Sequence, residues 1–284
     1  MNPCELENWP APAKLNLMLR IVGQREDGYH LLQTVFQFID WCDFISFTWL
    51  KTPEVVLAKP LPGVPPDVDL TVRAARLLQQ VTGVRRGVRI TLDKRLPMGG
   101  GLGGGSSDAA TVLVALNALW NLGLTEEELI GLGVRLGADV PVFIKGVAAW
   151  AEGVGERLTP LDLPEPWYVI VVPSCRVATA EIFAAPDLTR NSPPVTITEF
   201  LAGEQTNDCL PVVQRMYPEV AAALEALSSY GKARLTGTGA CVFAAFSEQK
   251  EAQAAVEALG HKWQAFLARG TNRSPLLGKL VKAA

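Results

Sequence analysis

The residues with the clearest capacity for chemistry lie in one glycine-rich segment, P-M-G-G-G-L-G-G-G-S-S-D, at positions 97–108. Six of the seven positions from Gly99 to Gly105 are glycine, and an apolar pattern of helical spacing begins at about Ser106. Glycine lets backbone N–H groups approach a ligand closely, and the start of a helix adds the positive end of its dipole. The segment therefore predicts a cradle for phosphate groups.

The order of residues around the glycines argues against two common phosphate loops. The Walker form needs a lysine after its last glycine, where this chain has Ser106. Gly99-x-Gly101-x-x-Gly104 formally fits the dinucleotide fingerprint, but five residues separate it from the preceding strand pattern and no second strand ending in an acid follows. A flexible linker is a further alternative, although linkers seldom lead straight into a strongly apolar helix. We interpret the segment as a phosphate loop of another kind.

Two charged side chains far from the loop have the types that phosphoryl transfer requires. Lys14 stands beside Asn16 on the polar side of an alternating strand pattern that begins at Ala13. Asp139 follows a predicted helix end and precedes Val-Pro. Each has an ordinary explanation, as a solvated lysine at a strand edge and as a turn-forming aspartate. Phosphoryl transfer, however, needs a cation beside the transferring group and a carboxylate beside the attacking hydroxyl.

The elements that must position these residues form a mixed pattern that favours the α+β class over a doubly wound sheet. Helical spacing is found at 70–83, 106–120, from the Thr125–Glu128 capping box to about 137, 217–227 and 249–259. Strand patterns are found at 13–20, 31–38, 44–49, 88–92, 142–151, 167–172 and 241–246. The loop at 153–166 concentrates glycine, proline and charge, which predicts a domain boundary between 1–157 and 158–284.

Composition limits the class of protein. The 284 residues are 49% hydrophobic with a net charge of −3, which predicts a folded core and no general attraction for nucleic acid or an anionic membrane. No apolar run is long enough to span a bilayer, and the acidic start does not fit a signal peptide, so a cytoplasmic protein is expected. Five scattered cysteines and two histidines predict reduced core cysteines and no metal site held by the protein.

Three segments, in the order found here, resemble the GHMP small-molecule kinases: P-A-K-L-N-L at 12–17, the glycine segment extended to 110, and L-T-G-T-G-A-C at 235–241. D-G-Y-H at 27–30, G-A-D-V-P-V-F at 137–143 and A-E-G-V-G-E at 151–156 resemble members whose alcohol substrate carries a cytidine diphosphate. The resemblance implies a two-lobed α+β fold. Its N-terminal ATP-binding lobe is similar to ribosomal protein S5 domain 2, and its C-terminal substrate-side lobe is ferredoxin-like.

The resemblance also implies an activity: ATP, with Mg²⁺, phosphorylates an alcohol of the cytidine-bearing small molecule, in non-mevalonate isoprenoid precursor biosynthesis. Lys14 and Asp139 are the implied catalytic residues, Asp139 as the base. The implied ATP-binding residues are Lys94, Pro97, Met98, Gly99, Gly100, Gly101, Leu102, Gly103, Gly104, Gly105, Ser106, Ser107 and Asp108. The implied substrate-binding residues are Asn16, Tyr29, His30, Thr179, Phe183 and Gly239, with Tyr29 and Phe183 on the two faces of the cytosine.

One position departs from the family pattern, and two other functions stay open. Asp69 stands where the resemblance implies an asparagine that contacts adenine. A GHMP kinase with another small alcohol as acceptor is the first alternative, and Tyr29-His30 argues against it because such acceptors carry no pyrimidine. A nucleotide-binding regulator without turnover is the second, and the retention of both Lys14 and Asp139 argues against it. No nucleic-acid or membrane partner is expected, and the chain is expected to be a monomer or a homodimer.

Overall fold

The computed structural model describes residues 6–283, with side chains described for 8–280; Cys4 lies outside the described residues. The strands are β1 (Leu6–Gln24), β2 (His30–Leu50), β3 (Val55–Leu57), β4 (Gly87–Asp93), β5 (Ala149–Gly153), β6 (Arg157–Pro160), β7 (Trp167–Val172), β8 (Arg234–Leu235), β9 (Val242–Phe246) and β10 (Gln264–Thr271). The helices are α1 (Leu70–Thr82), α2 (Gly104–Trp120), α3 (Glu126–Val134), α4 (Val140–Lys145), α5 (Thr179–Ala184), α6 (Ile197–Leu201), α7 (Leu210–Met216), α8 (Pro218–Ser228), α9 (Gln249–Leu259) and α10 (Pro275–Ala283).

Strand pairing divides the sheet into two parts joined by a narrow link. β2 pairs antiparallel with β1, β4 and β5, and β6 extends this part beyond β5. β10 pairs antiparallel with β7, which continues to β9 and β8. Only Gly270–Ile39 and Thr271–Phe38 connect β10 to β2. Strands and helices segregate as expected for the α+β class, with the two parts of the sheet at the centres of two lobes.

Three apolar clusters hold the lobes together. One lies between the first part of the sheet and α1–α4, around Phe38 and Val112. Another lies between the second part and the helices α5, α7, α8 and α9, around Val169 and Leu227. The third joins residues of both parts, including Leu15 of β1 and Phe243 of β9. β6 begins at residue 157 and pairs with β5, so the strand pairing places β6 in the N-terminal lobe. The predicted domain boundary at residue 157 stays a prediction.

The predicted helices at 70–83, 106–120 and 249–259 are confirmed. The Thr125–Glu128 capping box is also confirmed, with Thr125 Oγ1 accepting from the Glu128 N–H. The predicted strands at 31–38 and 44–49 are one continuous strand, β2. Among the described residues, no helix is long and apolar enough to cross a membrane. Cys42, Cys209 and Cys241 are free thiols in the core, as expected, while Cys175 is half-buried.

One expectation about the site elements is wrong, and one ordinary explanation of a site residue does not hold. Residues 140–145 form the helix α4 rather than the start of a strand, because Pro141 is tolerated in a first helical turn and Gly146 ends the helix in a left-handed conformation. A short apolar run cannot be assigned to helix or strand by periodicity alone. The ordinary explanation of Lys14 as a solvated residue at a strand edge does not hold: Lys14 and Asn16 are buried, and β1 has register shifts between Pro12 and Lys14 and between Asn16 and Met18.

Candidate active site

A cavity of about 520 Å³ lies between the two lobes and collects most of the predicted site residues. From the N-terminal lobe it is lined by Lys14, Asn16, Asp139 and the glycine segment. The C-terminal lobe contributes side chains from α5 and the 235–241 turn. The predicted residues absent from this lining are Tyr29, His30, Ser107 and Gly239. A pocket that both lobes complete can bring a donor and an acceptor together.

The glycine segment needs glycine mainly for the backbone path that it follows. Gly99, Gly101 and Gly103 have φ angles of 73°, 75° and 73°, in the left-handed region. A Cβ on Gly101 would lie 2.3 Å from the carbonyl oxygen of Thr236. A Cβ on Gly103 would lie 2.8 Å from Cζ of Phe143, so a side chain there would disturb the fold as well as obstruct a phosphate.

The second glycine turn, at 235–241, supports the first one. Cys241 N donates to Gly100 O at 3.0 Å, and Ala240 N donates to Gly99 O at 3.3 Å. The Thr236 hydroxyl donates to Gly101 O at 3.2 Å. The turn reaches the cavity through Gly237 and Thr238 rather than through the predicted Gly239.

The start of α2 leaves backbone donors free for an anion. Gly103 is the N-cap and makes no side-chain cap bond. Ser107 N makes the first intrahelical bond, to Gly103 O at 2.8 Å, so the N–H groups of residues 104–106 have no helical acceptor. Ser106 and Asp108 therefore belong to the first turns of the helix rather than capping it. The free donors and the dipole of this 17-residue helix together favour phosphate.

Lys14 and Asp139 meet at the centre of the cavity. The Lys14 Nζ is 3.3 Å from Asp139 Oδ2, and the lysine side chain is 3% exposed against 36% for the aspartate. Lys14 Nζ also donates to Gly101 O at 3.1 Å and lies 5.4 Å from the centre of the Phe36 ring. Asp139 is the N-cap of α4 without a side-chain cap bond, so its carboxylate is not used by the helix. A buried cation thus joins a half-exposed carboxylate to the phosphate loop.

Asn16 fixes the position of the Lys14 ammonium. Its Oδ1 accepts from Lys14 Nζ, and its Nδ2 donates to Thr34 Oγ1 at 2.8 Å. The backbone N–H of Asn16 donates to Thr236 Oγ1 at 3.0 Å, which ties β1 to the second glycine turn. Asn16 therefore positions the lysine, although the sequence resemblance implies a substrate contact for it.

Lys94 lines the cavity beside the glycine segment and forms a buried hydrogen-bonded cluster with the acidic side chains of Asp43 and Asp108. Its Nζ donates to Asp43 Oδ2 and Asp108 Oδ2, both at 2.6 Å. Asp43 also accepts from the N–H groups of Arg95 and Leu96 at 2.6 and 2.8 Å. The two carboxylates raise the pKa of Lys94 against the opposing effect of burial. Burial, with a contribution from Asp43, raises the pKa of Asp108 to about 8 even though Lys94 acts in the opposite direction.

This raised pKa predicts a pH dependence of stability. Between the ordinary aspartate pKa and about 8, folded Asp108 holds a proton that the unfolded chain has released, so the free energy of unfolding should fall as pH rises. The limiting slope for one proton is about 1.4 kcal/mol per pH unit. Urea unfolding of wild type and Asp108→Asn at pH 6, 7 and 8 measures it. We expect a shallower fall in the variant, and parallel profiles would contradict the assignment.

The residues assigned to cytosine are only partly assembled. Phe183 lines the cavity, and the His30 ring stacks on it with centroids 4.9 Å apart. Tyr29 is 63% exposed at the turn between β1 and β2, away from the lining. Thr179 lines the cavity and shares a 2.8 Å hydrogen bond with Thr238.

Two features of the cavity are not evident from the sequence patterns: an apolar side, and a capping role for Asp69. Leu61, Val64 and Val68 line the cavity from the proline-rich connection between β3 and α1 (residues 58–69), whose composition alone indicates only a loop. Asp69 lines it too, but Asp69 also caps α1 by accepting from Thr71 N at 2.8 Å. Capping explains a side-chain acceptor here without a ligand. An aspartate directly before a helical pattern is the sequence signal that indicates such an N-cap.

Comparisons with known proteins agree over most of the chain. Residues 69–147 match the GHMP kinases N terminal domain, and residues 196–265 match the GHMP kinases C terminal domain. The chain is 58% identical to the 4-diphosphocytidyl-2-C-methyl-D-erythritol kinase of Nitrosococcus oceani, over 96% of this chain and 98% of the relative. It is 60% identical to the Methylococcus capsulatus protein of the same name, over 94% and 92%.

Among solved structures, one match is similar in both sequence and fold, and another is similar in fold alone. A crystal structure of 4-(cytidine 5'-diphospho)-2C-methyl-D-erythritol kinase matches with a TM-score of 0.79 and 34% identity, over 93% of this chain and 98% of that one. A homoserine kinase from Cytophaga hutchinsonii matches with a TM-score of 0.69 over 96% of both chains, but at 16% identity it shares the fold alone. The two-lobed fold expected from the sequence is confirmed. The chain belongs to the 4-diphosphocytidyl-2-C-methyl-D-erythritol kinase family of the GHMP kinases.

Proposed function

We propose that the protein transfers the γ-phosphoryl group of ATP to the 2-hydroxyl of 4-diphosphocytidyl-2-C-methyl-D-erythritol, giving the 2-phosphate and ADP. The observation that carries this proposal is the 3.3 Å pair of Lys14 and Asp139 in a cavity bordered by the glycine segment. The cytoplasm as location and a monomeric or homodimeric state belong to the same proposal.

Asp139 and Lys14 have different roles in the phosphoryl transfer. The Asp139 carboxylate accepts a hydrogen bond from the attacking hydroxyl, orients its oxygen and takes the proton as the new bond to phosphorus forms. The Lys14 ammonium, held by Asn16 Oδ1 and Gly101 O, stabilises the charge of the transferring phosphoryl group. Because the transition state is loose, positioning and charge stabilisation contribute more than covalent chemistry.

The nucleotide is placed by the glycine segment and the apolar side of the cavity. The free N–H groups at the start of α2 receive the triphosphate. Leu61, Val64 and Val68 offer an apolar surface on which the purine packs. In this arrangement Lys94 stabilises the glycine segment, because it lies beside Gly104 and is held there by two buried acidic side chains, Asp43 and Asp108.

The donor set fits a magnesium ion that is bound largely through the triphosphate. Among the described residues, no group of three or more His, Cys, Asp or Glu side chains is arranged to hold a metal by itself. Asp108, whose buried Oδ1 has no hydrogen-bond partner in the described structure, and Ser106, which lines the same cavity, would hold the ion, and binding the ion would release the proton that Asp108 otherwise keeps. Mg²⁺ bound there supplies charge neutralisation on the phosphates.

One assay separates this function from its alternatives. The purified protein is given ATP, Mg²⁺ and a panel of acceptors: the cytidine-bearing methylerythritol, mevalonate, homoserine and free methylerythritol. We expect ADP formation with the first alone. Turnover with another alcohol would indicate a different GHMP kinase, and ATP binding without turnover would indicate a regulator.

Gly105→Val tests the phosphate cradle without straining the fold. Gly105 is exposed in the first turn of α2, and a Cβ there would meet only Leu70 Cδ1 at 3.6 Å. A branched side chain should obstruct the triphosphate and weaken ATP binding at least tenfold by calorimetry, with a small change in Tm. Gly131→Val in α3, where a Cβ would meet nothing within 4 Å, is the matched control. Equal ATP affinity in both variants would remove this turn from the nucleotide site.

A further inference from the structure

Arg190 makes a set of hydrogen bonds that the proposed mechanism does not use. From the loop after α5, its Nη2 donates to the carbonyl oxygens of Phe183 and Ala185, both at 2.8 Å. Its Nη1 donates to Leu188 O at 3.0 Å. Its Nε donates to His30 Nε2 at 3.2 Å. Among the described residues no carboxylate forms an ion pair with Arg190, so these four bonds account for its fixed position.

The contact with His30 determines where the histidine carries its proton. A guanidinium group can only donate hydrogen bonds, so His30 Nε2 must be the acceptor. An imidazole that accepts at Nε2 is neutral and carries its proton on Nδ1. Burial, and secondarily the charge of Arg190, lower the pKa of His30, which agrees with a neutral ring. No hydrogen bond of the described residues uses Nδ1 of His30, so this donor is free.

The same guanidinium sets the relation between His30 and the cavity. Arg190 donates from Nη2 to the carbonyl oxygen of Phe183 and from Nε to the His30 ring, so it fixes both residues relative to each other. The His30 and Phe183 rings stack with an interplanar angle of 28°, and Phe183 lines the cavity. The free Nδ1–H therefore belongs to a ring packed against the wall of the substrate cavity.

A donor of fixed position distinguishes the two common pyrimidines. Cytosine presents N3 and O2 as adjacent acceptors, whereas N3 of uracil carries a hydrogen and is a donor. An Nδ1–H group of His30 pairs with N3 of cytosine and opposes N3–H of uracil. A histidine free to move its proton to Nε2 would present an acceptor at Nδ1 instead, and the preference would be lost.

We propose that Arg190 is a positioning residue that holds His30 as the Nδ1–H tautomer and so makes the acceptor site select cytidine over uridine. This inference rests on the proposed function, because it concerns the base of that acceptor. Arginine suits the role since its planar fork reaches three carbonyl oxygens and one ring nitrogen at once, which a lysine ammonium with three donors cannot do.

The tautomer can be measured in the unaltered protein by ¹⁵N NMR of the histidine rings. The chain has two histidines, and exposed His261 serves as an internal reference. We expect His30 to show a protonated Nδ1 and an unprotonated Nε2 at neutral pH, and Arg190→Lys to remove this signature. A wild-type His30 protonated on Nε2 would overturn the proposal without any variant.

The selectivity is measured as the ratio of kcat/KM for the cytidine-bearing acceptor to that for the same acceptor with uridine. We expect Arg190→Lys to lower this ratio about tenfold, and His30→Ala to lower it at least as much. In the His30→Ala background, Arg190→Lys should leave the ratio unchanged, since the arginine acts through the histidine. Arg215→Lys, at an exposed ion pair with Asp187, is the matched control and should leave the ratio as in wild type.

The outcomes separate this inference from the proposed function. If wild type phosphorylates neither acceptor, the proposed function fails. If it phosphorylates the cytidine acceptor and Arg190→Lys lowers kcat/KM for both acceptors equally, Arg190 has only a structural role and the inference alone fails. A further fall of the ratio in the double variant would also contradict action through His30.

Discussion

Replacing Asp139 with asparagine should lower kcat by roughly 10²–10⁴-fold, the usual contribution of a general base. Asparagine keeps the size of the side chain but cannot take the proton of the attacking hydroxyl. The fold should persist, because Asp139 makes no cap bond and its side chain is 36% exposed. Single-turnover transfer with ATP and the cytidine-bearing acceptor both saturating isolates the chemical step from binding.

The matched control for this prediction is Asp67→Asn, at an exposed ion pair with Arg76. This variant removes an aspartate–cation pair outside the cavity, and it should keep wild-type turnover. ATP and acceptor affinities of Asp139→Asn should stay near wild type, since neither proposed anchor uses this carboxylate. A fall in kcat of less than about tenfold, near 1.4 kcal/mol in the barrier, would show that Asp139 is not the base.

Replacing Lys14 with methionine should lower kcat by about 10²–10³-fold, the cost of removing one group that stabilises transition-state charge. Methionine keeps an unbranched apolar stem against Phe36, so packing is largely preserved. The variant leaves Asn16 Oδ1 without its donor, Gly101 O with the Thr236 hydroxyl as its remaining donor, and Asp139 without its ion pair, so a modest fall in Tm is also expected. The measurement is the same single-turnover experiment, with Tm read separately.

Lys145→Met is the control for the lysine variant, because Lys145 pairs with Glu126 on the exposed side of α4. It should keep the transfer rate. If Lys14→Met lost ATP affinity while single-turnover transfer at saturating ATP stayed near wild type, the ammonium would be a binding group rather than a transition-state stabiliser. The roles of the pair in the proposed mechanism would then need to be reassigned.

The parts of the site that the sequence predicts are those encoded in short contiguous segments. Glycines at 99–105 before an apolar helical pattern predict a phosphate loop because backbone freedom and the helix dipole are local properties. The Thr125–Glu128 capping box and the helices α1 and α9 are confirmed for the same reason. Lys14 and Asp139 were candidates by residue type and resemblance, since nothing in their spacing indicates that they meet.

The tertiary structure decided the features that depend on what packs from elsewhere in the chain. Pairing within one sheet and packing against the glycine turns bury Lys14, which the alternating pattern shows only to be on the polar side of its strand. Burial of the apolar run 140–144 in the core accompanies its helical conformation, because a run of five apolar residues fits either element by its pattern alone. Long-range contacts likewise create the Lys94 cluster and the Arg190–His30 bond, which join residues 51 and 160 positions apart. Sequence by itself determined the local conformations and the chemical types available, whereas burial, pairing and proton placement followed from distances that only the folded chain establishes.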